Sequence, residues 1–155
     1  MSYKFVSGLI CIVVCVLISI MLSNKYVEAY KFYSDFCNFN KKLKQSIIYD
    51  KTSLVKFLDE QNNDSFFIIS LKNIRLEKAS YIKNSNLTKD ENEYFYNYCK
   101  RLGKNDINEE IKNLDKTEKE ITEKRKESLE KLNKMRPIYI KFGILIGLIL
   151  FIVII

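Results

Sequence analysis

The chain has 155 residues, 26 of them Lys or Arg against 19 Asp or Glu, for a formal charge of +7; it has no histidine. Without histidine it lacks the side chain that titrates near neutrality, does most general acid–base work and completes Cys–His pairs or mixed zinc sites. The four glycines, Gly8, Gly103, Gly143 and Gly147, are too scattered for a phosphate-cradling loop, so the composition argues against an enzyme and implies no cofactor and no metal.

In chain order, the first element is an uncharged run from Phe5 to Leu22. At about 18 residues it is long enough for a membrane span. Val27-Glu28-Ala29 has small residues where a signal peptidase would want them, but Lys25 separates that site from a run that is long for a signal core, so an uncleaved anchor is favoured. From Ala29 the apolar positions Tyr33, Phe36, Leu43 and Ile47 follow three-and-four spacing, and the span is expected to continue as an amphipathic helix ending near Tyr49.

Asp50 or Thr52 is expected to cap a short helix with Leu54, Val55, Phe57 and Leu58 on its apolar face. Asn62-Asn63-Asp64 reads as a turn. Ser65 is expected to cap a third helix bearing Phe67, Ile68, Leu71, Ile74, Ala79 and Ile82, which the Asn84-Ser85-Asn86 cluster ends. Thr88 with Glu91 has capping-box spacing, followed by Tyr94, Phe95, Tyr98, Cys99 and Leu102, with Gly103 where a left-handed helix stop is wanted.

Asp106 with Glu109 repeats the capping-box spacing and opens a long helix with no breaker before Pro137, where a kink or break is expected. Its apolar positions, Ile107, Ile111, Leu114, Ile121, Leu129, Leu132 and Met135, thin out across the middle. Opposite charges four apart, Asp115 with Lys119, Glu120 with Lys124 and Glu127 with Lys131, support a partly solvated face. Within it, Lys124, Arg125 and Lys126 are the candidate partner surface.

A second uncharged run, Phe142 to Ile155, approaches span length once Ile138, Tyr139 and Ile140 are counted. Lys141 lies near its start, where its stem can snorkel to the interface. The expected organisation is an N-terminal anchor at 1–24, a helical bundle at 25–136 and a C-terminal membrane helix at 137–155, an all-α protein. Lys25, Lys31, Lys41 and Lys42 follow the first span, ten basic residues in all flank the middle segment once Lys124, Arg125, Lys126, Lys131, Lys134 and Arg136 are added, and only Lys4 lies outside. By the positive-inside rule the bundle is expected in the cytoplasm.

Ser7, Cys11, Cys15 and Ser19 recur every fourth residue, and Gly143 to Gly147 is a GxxxG run. Small residues at that spacing mark helix packing faces in membranes, either between the two spans or between copies in a homo-oligomer. Cys37 and Cys99 lie in the middle segment, and none of the four cysteines has CxxC spacing. The basic excess near the spans fits an anionic membrane surface. The tyrosines fall at core spacing rather than on a basic face, so nucleic acid is not an expected partner.

Three stretches carry a resemblance to a known family. Leu43 to Leu54, LKQSIIYDKTSL, is similar to a stretch of the stage III sporulation protein AB family in which an isoleucine-tyrosine pair precedes a threonine-started short helix, placing its motif on Tyr49, Thr52 and Leu54. Asn97 to Glu109, NYCKRLGKNDINE, resembles the family's leucine-glycine-x-x-aspartate turn at Leu102, Gly103 and Asp106, and Lys141-Phe142-Gly143 with Gly147-Leu148 resembles its final span. Two positions depart from the family: Ser53 stands where a proline is common, and Pro137 alters the approach to the last span.

The resemblance implies two anchors in the bacterial inner membrane around a bundle in the mother-cell cytoplasm, within the trans-envelope complex that links a mother cell to its forespore. It also implies a likeness to the platform protein of type II secretion and type IV pilus machines. The partners it implies are other sporulation proteins, among them an assembly ATPase, the stage III sporulation protein AA. A membrane-anchored regulator or sensor unrelated to secretion is the alternative from another class.

Overall fold

Two long helices frame the chain, and three short ones are strung between them. The computed structural model describes residues 2–50, 53–61, 65–77 and 87–154. The α-helices are α1 (Ser2–Gln45), α2 (Leu54–Glu60), α3 (Phe66–Arg75), α4 (Lys89–Arg101) and α5 (Ile107–Ile154), with a π-helical turn, Ser46–Asp50, closing α1. No strand occurs among the described residues, and the fold is all-α as the sequence predicts. The chain divides into two units, one of residues 1–28 with 128–155 and one of residues 29–127. Neither boundary falls in a loop, because α1 and α5 each run through both units without a break.

The short helices start where side chains replace missing backbone partners. Ser53, not Asp50 or Thr52, caps α2: its hydroxyl accepts from the Lys56 N–H at 3.5 Å, while Asp50 is taken up in the π turn. Thr52 lies outside the described residues. Ser65 caps α3 by accepting from the Phe67 N–H at 3.3 Å, and its own hydroxyl donates to Asp35 of α1 at 2.6 Å. One serine thereby starts a helix and fixes it to another. α3 ends at Arg75, earlier than expected, with Glu77 in the left-handed region at φ 57°. Ala79, Ile82 and the asparagine clusters at 62–64 and 84–86 lie outside the described residues.

α4 opens on a complete capping box. The Glu91 N–H donates to the Thr88 hydroxyl at 3.3 Å, and the Thr88 N–H donates to the Glu91 carboxylate at 2.8 Å. α5 continues through Pro137 as one helix, so the expected break does not occur. The carbonyl left without its usual donor belongs to Asn133, which is exposed and can be hydrated.

The core of the 29–127 unit is aromatic. Phe32, Phe36 and Phe39 of α1 meet Phe57 of α2, Phe67 of α3 and Phe95 and Tyr98 of α4, with Phe36 stacked on Phe67 at 5.0 Å and the other rings edge-on or tilted. Leu43, Leu71, Ile74, Leu114 and Ile121 complete it. Buried among them, Asn40 donates to the Leu114 carbonyl at 2.9 Å and accepts from the Tyr98 hydroxyl at 3.2 Å, so its one amide ties α1 to α4 and α5. Val55 and Ile107, expected on apolar faces, are exposed.

Candidate functional site

Three places hold the residues that the sequence singles out. The first is the α4–α5 turn. Gly103 adopts φ 74°, a conformation that costs a side chain and that glycine takes freely. Its N–H donates at 3.1 Å to Glu110, which Asn105 also approaches at 3.5 Å; Glu110 is only 6% exposed. The Leu102 carbonyl accepts from Arg75 of α3 at 2.8 Å, and Asp106 accepts the Glu109 N–H at 3.0 Å to start α5. Leu54 of α2 lies against Gly103, where an added Cβ would come within 2.7 Å of its side chain.

Leu54, Leu102, Gly103 and Asp106 are thus gathered at one corner of the unit, clamped by Arg75 and Glu110. Sequence reasoning passed over both clamping residues, since a single charge in a polar helix turn carries no pattern of its own. Tyr49 stands apart on the π turn, 80% exposed.

The second place is the charged stretch of α5. Its ion pairs run between helices rather than along α5: Asp115 pairs with Lys44, Glu118 lies within reach of Lys41 and Lys44 at 3.8 and 3.9 Å, and Lys124 lies 3.8 Å from Glu91. Glu120 accepts from the Tyr94 hydroxyl at 2.7 Å. These charges fasten α1 and α4 to α5, a use that the four-residue spacing did not reveal. Of the candidate partner surface, Lys124 is therefore engaged, Arg125 is half-buried and Lys126 is exposed beside an open, mixed-charge groove with Asp115, Glu118, Lys119, Thr122 and Glu123.

Electrostatics around α4 follow from burial and these contacts. Burial pushes the Glu91 carboxyl up, but the Thr88 backbone N–H, the Tyr33 and Thr88 hydroxyls and the Lys124 ammonium outweigh it and hold the group below its ordinary value. The Tyr33 hydroxyl is buried near this carboxylate without a partner in hydrogen-bonding geometry. Burial pushes the Cys99 thiol far up despite the charge of Arg75, so it is not a poised nucleophile. All four cysteines are free thiols, and among the described residues no group of acidic or cysteine side chains is arranged to hold a metal ion.

The third place is the contact between the apolar halves of α1 and α5, both in the 1–28/128–155 unit. Gly143 faces Ser19 and the Cys15 carbonyl, Gly147 abuts the Ile12 Cα, which an added Cβ would approach to 2.9 Å, and Gly8 sits under Phe151. Both glycines of the GxxxG run are buried, while Phe142, Leu145, Ile146 and Ile149 point outward. Ser19 is buried and its hydroxyl returns to the Cys15 carbonyl at 2.9 Å. Cys11 and Cys15 are half-buried. Ser7 faces outward and donates to Lys4 O at 2.8 Å; Gly8, one residue on, occupies the contact instead.

Both α1 and α5 are long and apolar enough to cross a membrane. Among known proteins, the sequence model of the stage III sporulation protein AB family matches residues 71–155, which take in the second half of α3, all of α4, the glycine turn and all of α5. Comparison with curated proteins and with solved structures yields no match.

Proposed function

This chain belongs to the stage III sporulation protein AB family, and from that membership we propose that it is a non-enzymatic, platform-like scaffold in the trans-envelope complex between mother cell and forespore. In this reading α1 and α5 each cross the cell membrane once, both termini lie on its outer side, and the 29–127 unit faces the mother-cell cytoplasm. There it docks an assembly ATPase of the same system, the stage III sporulation protein AA.

The observation that carries the reading is the shared use of α1 and α5. Each is a single helix with an apolar half in one unit and a polar half in the other. A helix satisfies its own backbone in hydrocarbon, and continuing it into water gives a folded domain two covalent anchors. The basic residues flanking the spans support the cytoplasmic side. Within the 29–127 unit, Asn40 ties α1 to α5, Glu91 reaches Lys124 of α5 and Glu110 holds the α4–α5 turn, which favours a binding role over a chemical one.

Two experiments test it. With Cys11 and Cys15 changed to alanine, cysteines introduced at the exposed positions Lys116 and Lys126 are expected to resist an impermeant thiol reagent in intact cells and to react after lysis; labelling from outside overturns the orientation. For docking, the full chain in lipid nanodiscs is expected to bind the ATPase, and Arg125→Glu with Lys126→Glu is expected to lower the affinity and its salt dependence. This pair leaves the Lys124–Glu91 contact intact. No binding by the wild-type chain removes the platform analogy, and unchanged affinity in the variant moves the contact elsewhere.

A further inference from the structure

The side chains where the apolar halves of α1 and α5 meet their polar continuations form a second kind of site. Lys25 lies with its ammonium 5.1 Å from the centre of the Tyr26 ring and 5.6 Å from that of Tyr139, and the two rings are 6.0 Å apart and tilted. Distances of this order are those of cation–π attraction. The contact puts a charge from α1 and a ring from α5 at one level. On α5, Lys134, Arg136 and Lys141 lie within about one and a half turns of Tyr139, and all four basic residues are exposed. Among the described residues the ion pairs lie elsewhere and engage none of these four.

We propose that Lys25, held beside Tyr26 and Tyr139, and the neighbouring Lys134, Arg136 and Lys141, spread around α5 over about two turns, form a basic collar that binds the phosphodiester headgroups of anionic phospholipids. Tyrosine is the residue type that settles at the headgroup level of a bilayer, and the uncharged run that ends at Leu22 brings Lys25 there. The two tyrosines hold the Lys25 ammonium without neutralising its charge, which a carboxylate partner would have done. Arg136 supplies the planar fork that suits phosphate oxygens. A zwitterionic headgroup carries its own cation beside the phosphate, and repulsion of that cation offsets the attraction of the phosphate, so the collar selects for net negative lipid. The inference rests on the reading that α1 and α5 cross a bilayer.

The test uses the full chain reconstituted in phosphatidylcholine vesicles with trace spin-labelled phosphatidylglycerol or spin-labelled phosphatidylcholine. Flotation of the protein with the vesicles tests the membrane reading alone. Given flotation, the anionic label is expected to be enriched over the zwitterionic one in the motionally restricted lipid by about fivefold for each basic residue engaged at low salt. Lys25→Gln, Lys134→Gln, Arg136→Gln and Lys141→Gln together are expected to bring the ratio near one. Lys25→Gln alone, which leaves the α5 charges in place, is expected to lower it in part and keeps the test decisive if the fourfold variant fails to insert. Equal association of the two labels with the wild-type chain, or a ratio unmoved by Lys25→Gln, overturns the collar.

Discussion

Between the apolar halves of α1 and α5 the contact is made by Gly8, Ser19, Gly143 and Gly147, whereas the helices of the 29–127 unit meet through Phe32, Phe36, Phe67 and Phe95. In the first unit most large apolar side chains point outward, and in the second these rings, with Leu43, Leu71, Ile74, Leu114 and Ile121, are the interior. The contrast follows from the solvent that each part is built for. Water drives apolar area inward, so bulky rings gain most by burial. Lipid tails offer no such drive, and helices there gain by bringing backbones close enough for dispersion contact, which small residues permit.

The change expected to separate the two parts most sharply is Phe67→Ala, which removes a fully buried ring that touches Phe32, Phe36, Phe39 and Phe95. A loss of about 3–5 kcal/mol is expected from the cavity. Urea unfolding of the full chain in detergent, followed by tyrosine near-ultraviolet dichroism, reads it. A loss under 1 kcal/mol would mean that the aromatic cluster is not the core of the unit.

Asn40→Ala comes next. It leaves the Leu114 carbonyl and the Tyr98 hydroxyl without their partner inside the unit, for an expected loss of about 1–3 kcal/mol in the same assay. Asn40→Ala and Tyr98→Phe are expected to be non-additive, because both remove the same hydrogen bond. Strict additivity counts against the network.

In the other unit, Gly147→Leu forces the helices apart at Ile12, and the expected loss of span association is about 1 kcal/mol by crosslinking in membranes. Leu145→Ala, on the outward face, is expected to do less. Equal effects from the two would make the glycine contact incidental and erase the contrast between the units.

The smallest effect concerns the α4 capping box. The folded chain holds the Glu91 carboxyl below its ordinary value of 4.5, so the ionised form is the one that folding favours. Its contribution is fully present above that value and is lost as pH falls through the lower, folded one. Glu91→Gln retains the geometry of a capping residue and is expected to flatten this acid-side loss while changing neutral-pH stability little. An acid profile identical to that of the wild type assigns the loss to other carboxylates.

Much of this arrangement is local and was therefore legible. An uncharged run specifies a long apolar helix by length alone, Thr88 with Glu91 and Ser65 specify helix starts through bonds spanning two or three residues, and Gly103 specifies a left-handed stop. Each depends on neighbours in the chain, so the sequence by itself determined the helices, most of their joints and the two apolar segments. What only the tertiary structure decided is pairing across distance. Asp115 turns to Lys44 rather than Lys119, Lys124 to Glu91 rather than Glu120, and Arg75 and Glu110 clamp a turn that neither resembles in sequence. A charge four residues away is always a neighbour on a helix, but it is worth only a few tenths of a kcal/mol in water. Packing against another helix can therefore redirect the side chain, and no local pattern records where it goes.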